Sequence, residues 1–139
     1  MSAPLPIAGV VIAGTGRGRV LRLAEPLSFW GGVDPASARL SDPRGPRAGE
    51  SIAGRVLMLP ATRGSSSSSA VMLELIAGGR APAAIVLGTI DAILGLGIIV
   101  GREMGYPAVP LLLLPVADQA RFADGAEVAI AEDGAIAVE

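Results

Sequence analysis

The chain has 139 residues, the length of one domain. Its 11 basic residues, all Arg, stand against 13 acids for a formal net charge of −2, which argues against a protein dominated by nucleic-acid contacts. With no Cys and no His, it cannot supply a disulfide framework, a thiolate-held cluster, a His-ligated metal or a Ser-His-Asp triad.

Residues 7–13 (Ile-Ala-Gly-Val-Val-Ile-Ala) predict a first strand. Gly14 to Gly18 predict a turn, and the alternating Arg19–Leu23 a half-buried second strand, so the two are expected to pair as a hairpin. Gly14-x-Gly16-x-Gly18 does not fit a dinucleotide fingerprint. Residues 24–54 have little periodicity and are punctuated by Pro and Gly. Leu27, Phe29, Trp30 and Val33 within them argue for an ordered loop. Phe29 and Trp30 either tuck into the core or line a face that meets a partner.

Residues 55–59 predict a buried strand closed by Pro60. Residues 67–77 predict a helix with serines before it and Gly78-Gly79 after it. Ala84–Leu87 is a short buried strand, and Asp91 is placed to cap a helix running to about Met104. Residues 107–114 predict another strand, and 128–130 with 135–138 a closing hairpin. The apolar runs are shorter than the roughly 20 residues a membrane helix needs, and the start has no basic signal region. We expect a soluble cytoplasmic protein forming a single domain over residues 1–139, with a mixed α/β fold containing two helices.

Arg63-Gly64-Ser65-Ser66-Ser67-Ser68-Ser69 is the segment richest in chemistry. A flexible linker is one reading, but a strand precedes the run and a helix follows at once. The other reading is an anion site. A helix N-terminus offers unpaired N–H groups, Gly64 permits close approach, serine hydroxyls donate, and Arg63 supplies a fixed cation. The spacing is not that of a P-loop.

Four segments together carry a family resemblance: Glu25-Pro26-Leu27-Ser28-Phe29-Trp30-Gly31-Gly32-Val33-Asp34-Pro35, Gly54-Arg55-Val56-Leu57-Met58-Leu59-Pro60, the Arg63–Ser69 run, and Ala81-Pro82-Ala83-Ala84-Ile85-Val86-Leu87. In combination they resemble the small (swivel) subunit of the aconitase X family, over residues 8 to 115 or so. The resemblance implies the swivelling β/β/α fold. It also implies an iron–sulfur hydro-lyase in which a large subunit holds the cluster and most of the substrate, with no metal on this chain. The family's catalytic serine, which acts as base, falls on Ser65. Gly64 and Ser66 would surround it, and Arg63 would meet the substrate's anionic group. Ser67 to Ser69 would cap the helix. Related aconitases have Arg then Glu after a similar loop. This chain has Ser67 and Ser68 there, which argues against citrate or isopropylmalate as substrate.

Within the family, the substrate choices are cis-3-hydroxy-L-proline, which would lose water to give Δ1-pyrroline-2-carboxylate, and phosphomevalonate. The Ala-, Gly- and Arg-rich composition indicates a G+C-rich bacterial source and favours the former. Residues 1–80 carry nine Arg and five acids, which would suit the phosphate of the latter. A non-enzymatic swivel domain binding an anion is the competing function. Arg17, Arg19, Arg44 and Arg47 are expected to be surface or interface charges. No membrane or nucleic acid is expected as a partner.

Overall fold

A computed structural model describes residues 5–45, 47–63 and 66–139. Among them, seven strands form one curled sheet: β1 (Gly9–Ile12), β2 (Gly16–Arg22), β3 (Val56–Leu59), β4 (Ala84–Leu87), β5 (Leu111–Leu113), β6 (Glu127–Ile130) and β7 (Ile136–Val138). Their order is β1-β5-β4-β3-β2-β6-β7. The four central strands, β5, β4, β3 and β2, are mutually parallel. The outer pairings are antiparallel. The two ends of the sheet meet where Ile7 bridges Ala135 and the Ala8 N–H donates to the Gly134 carbonyl at 3.1 Å.

Period-2 alternation divides the interior into two cores. Val56, Met58, Ala84 and Val86 point into the curl, where they join Phe122, Val128 and Ile130. Leu57, Leu59, Ile85 and Leu87 point the other way, under the helices. Both faces of the central strands are buried, as parallel strands require, and this explains their continuous apolar runs.

The outer layer is α2 (Ser67–Ala77) packed on α3 (Ala92–Glu103), and α2 and the strand β4 keep their expected limits. Asp91 caps α3, accepting from the Ile93 N–H at 3.0 Å and the Leu94 N–H at 3.2 Å. Gly95, Gly97 and Gly101 all lie on the buried face of α3. Each costs roughly 0.5–1 kcal/mol of helix propensity. Close approach of the helices offsets this, because Met72, Leu75, Leu94 and Ile98 are fully buried between α2, α3 and the sheet at about 1.5–3 kcal/mol each.

Two expectations need correction. The predicted hairpin does not form: β1 pairs with β5, while β2 pairs with β6 through residues 16–19 and with β3 through residues 20–22. Gly16 and Gly18 are strand residues rather than a turn. A Cβ on either would collide with a backbone carbonyl oxygen, of Ala83 and Gly54 respectively, so glycine is what lets neighbouring chain press against β2. The predicted strand 107–114 contracts to β5, since Pro107 and Pro110 have no N–H for a ladder. Two single-turn elements were not anticipated, the kinked α1 (Phe29–Gly32) and α4 (Val116–Gln119).

Arg47 is not a plain surface charge. Its side chain is 26% exposed and binds Glu50 and Asp124, the latter at 3.1 Å. This pins the 41–50 loop to the turn before β6. Arg17 pairs with Glu139 at 2.9 Å on the surface, and Arg44 lies near Asp42 at 3.5 Å.

Candidate functional site

Parallel strands aim their carboxyl ends at one edge, and the loops that follow them converge there. In this chain the loops after β2, β3 and β4 are tied to one another. The Leu27 N–H donates to the Ala61 carbonyl at 3.2 Å, and the Arg63 N–H donates to the Leu27 carbonyl at 2.9 Å. The Thr62 hydroxyl donates to Asp91 Oδ2, so one carboxylate both caps α3 and holds the loop after β3. The Gly88 N–H adds a bond to the Pro60 carbonyl at 3.0 Å. The Gln119 side-chain amide donates to the Leu59 and Leu114 carbonyls, each at 3.0 Å, and closes the row at β5.

This framework carries Arg63 and delivers the chain into α2. Arg63 is exposed, and its guanidinium makes no hydrogen bond or ion pair among the described residues. Gly64 and Ser65 lie outside the described residues. Ser66 occupies the N-cap position with φ −56° and ψ −23°, and its hydroxyl makes no cap bond. The capping role expected of the serines that follow is not borne out at Ser68 or Ser69. The Ser69 hydroxyl turns back to the Ser66 carbonyl at 2.9 Å. The Ser68 Oγ is fully buried with no hydrogen-bond partner among the described residues. The hydroxyls of Ser66, Ser68 and Ser69 therefore do not cap the first turn of α2, the positive end of whose dipole follows Arg63 in the chain.

Arg63 also borders a recess of about 400 Å³ whose wall includes Ser28, Trp30, Ser41, Asp42 and Arg44. Two arginines and one aspartate thus line the recess. Ser28 and Ser41 shape its wall by donating to the Trp30 and Gly31 carbonyls, at 2.8 and 2.9 Å. The two aromatic residues of the loop divide: Phe29 is fully buried and Trp30 is 59% exposed. Phe29 thus takes the core placement, while Trp30 lies at the surface.

Sequence reasoning anticipated the Asp91 cap and the helix that follows the serine run. It missed the Thr62–Asp91 bond and the recess that Arg44 and Arg63 both line, which bring in residues far apart in the chain. Arranged this way, the edge can receive an anion through Arg63 and the α2 N-terminus. It cannot hold an iron–sulfur cluster, because the chain has no thiolate or imidazole to offer. Among the described residues no group of three or more acids is gathered that could hold a metal ion, and no helix is long and apolar enough to cross a membrane.

A family profile described as the aconitase X swivel domain matches residues 7–138. The cis-3-hydroxy-L-proline dehydratase of Pseudomonas aeruginosa is 46% identical over 112 residues, 81% of this chain but only 19% of that protein. This chain therefore spans about a fifth of that relative's length. The phosphomevalonate dehydratase small subunit of Thermococcus kodakarensis is 35% identical over 125 residues, 89% of this chain and 94% of that one. The fold is similar to the crystal structure of Thermococcus kodakaraensis aconitase X in its holo form, with a TM-score of 0.85, 28% identity and 99% of both chains covered.

Proposed function

The chain belongs to the aconitase X swivel-domain family, and from that premise we propose that it is the small subunit of a heteromeric dehydratase in which Ser65 is the catalytic base. The observation that supports this most is the setting of the loop. Arg63 and the first turn of α2 lie at the carboxyl edge of the parallel strands, where the positive end of the helix dipole and an exposed cation would stabilise negative charge. A neutral serine hydroxyl is a poor base, so its oxygen needs this environment to act as an alkoxide. The Ser65 alkoxide then takes the proton from the carbon beside the substrate carboxylate as the β-hydroxyl departs with its bonding pair as hydroxide, and the proton given up when the alkoxide formed balances that hydroxide as water. Gly64 and Ser66 shape the loop around it, and Arg63 binds the substrate's anionic group.

The iron–sulfur cluster of such an enzyme belongs to the large subunit, since the donors on this chain do not suit it. The substrate we infer is cis-3-hydroxy-L-proline, supported by the 46% identity to the Pseudomonas aeruginosa enzyme. Phosphomevalonate is the second reading. It is favoured by a different observation: small subunits named for that reaction are separate chains, and 94% of one is covered by this chain.

The test is anaerobic turnover by the chain co-expressed with its large subunit, with both substrates offered. Ser65→Ala is expected to lower kcat at least 1,000-fold with the complex intact. Arg63→Ala is expected to raise KM roughly 10- to 100-fold with a smaller effect on kcat. Full activity in Ser65→Ala would remove the serine from the mechanism, and an unchanged KM in Arg63→Ala would remove the arginine from substrate binding.

A further inference from the structure

We propose that an apolar strip formed by α1, α2 and α3 is the face on which the large subunit docks, an inference that rests on the heteromeric reading above. The strip starts at Trp30, 59% exposed. A groove of about 740 Å³ is lined by Trp30, by Ala70 and Leu73 of α2, and by Met104. A second groove of about 250 Å³ begins at the same Ala70 and Leu73 and runs to Leu96 and Val100 on α3. The two grooves share residues, so the surface is continuous. Leu96 is 53% exposed and Met104 60%.

This exposure is built into the helix. Along α3 the buried positions are Leu94, Gly95, Gly97, Ile98 and Gly101. An ordinary surface helix would place polar residues on the remaining face. Here that face carries Ile93, Leu96, Ile99 and Val100. Both sides of the helix are apolar, which marks a helix with a second partner.

Three observations select the partner. First, the P. aeruginosa relative carries the matched segment as only 19% of its length, so a polypeptide several times larger accompanies a domain of this kind. Second, Trp30 lines both the strip and the recess that contains Arg63. A protein seated on the strip therefore also closes over the candidate site, as a partner holding the rest of the substrate must. Third, the charged residue lining the grooves is an acid, Glu74, which disfavours an anionic lipid surface or nucleic acid.

The experiment uses the full chain and its large subunit. Leu96→Glu with Val100→Glu is expected to weaken their Kd at least tenfold, while kcat at saturating large subunit stays within twofold of wild type. Val138→Glu, at an equally exposed apolar position on β7 (53% exposed), is expected to leave the Kd within twofold. If the double variant misfolds, the wild-type chain answers instead. Trp30 is its only tryptophan, so 5-fluorotryptophan gives one fluorine signal, expected to shift when unlabelled large subunit is added. A Kd within twofold of wild type for the double variant, or an unmoved fluorine signal in a complex that forms, would overturn the docking face and leave the heteromer standing. Failure of the wild-type subunits to associate would overturn both. Self-association of the wild-type chain that the double variant abolishes, without any effect on large-subunit affinity, would reassign the strip to a second copy.

Discussion

Ser68 is the residue whose chemistry is least expected from its type. It sits in the first turn of α2, fully buried, with an unmatched hydroxyl among the described residues. Leaving a buried hydroxyl unpaired costs about 1–3 kcal/mol. Replacing it by Ala removes that cost, raises helix propensity slightly, and leaves a gap of one oxygen atom. Ser68→Ala is therefore expected to keep or raise the melting temperature, as measured by circular dichroism or calorimetry. A fall of several degrees would show that the hydroxyl has a partner. Ser66 and Ser69 differ from it in kind. One exposes its hydroxyl at the N-cap position without using it as a cap, and the other spends its hydroxyl on a local carbonyl. Ser66, Ser68 and Ser69, residues of one type within four positions, thus acquire different environments from helical geometry alone, which no single-position rule could separate.

At the scale of the elements, the contact between α2 and α3 is the sensitive joint. A Cβ on Gly97 would stand 2.5 Å from the Ser69 carbonyl oxygen and 3.1 Å from Met72 Cβ. Backbone cannot swing aside as a side chain can. Overpacking costs typically 1–3 kcal/mol, against a propensity gain of at most about 1 kcal/mol. Gly97→Ala is thus expected to destabilise, lowering the melting temperature by roughly 3–8 °C. Gly95→Ala is the comparison, since its nearest neighbour would be a Leu111 methyl at 3.3 Å, and it should be close to neutral. The limits of α2 and the Asp91 cap were legible because their signals are local: serines, paired glycines, and an acid two residues before the N–H it accepts. The hairpin was misjudged because strand pairing is set by distant chain. Val10 meets Leu112, about a hundred residues away, and nothing near Val10 encodes that. Likewise the Thr62–Asp91 bond spans 29 positions. The capping half of Asp91 is visible in the sequence and the loop-holding half is not.

For the molecule as a whole, the response to acid is set at Arg47. The guanidinium bonds to Glu50 and holds that carboxyl below its ordinary value. Burial pushes the Asp124 carboxyl up, but the Arg22 N–H and the Arg47 guanidinium outweigh it and hold Asp124 below its ordinary value too. Groups depressed on folding add stability above their unfolded pKa and lose it as pH falls through the folded one. Stability is therefore expected to be level near neutrality and to decline as pH drops below about 4. Both carboxylates are 39% exposed, so solvent screening keeps the effect modest. Urea midpoints at pH 6 and pH 3 check this, with Arg47→Met expected to flatten the difference.

Among the described residues the meeting of the sheet's two ends is brief: one bridge at Ile7 and Ala135, one bond from Ala8 to Gly134. Gly134 has φ +90°, and a Cβ there would strike the Ala8 carbonyl oxygen. That glycine is the point at which the curl is fastened. Were the fastening to part, β1 and β7 would each present an unpaired row of backbone donors and acceptors, flanked by the exposed Val10, Val11 and Val138. Such edges recruit strands from other molecules. The fastening thus guards against aggregation, a hazard that grows with protein concentration and that leaves no trace in the chemistry at the opposite face.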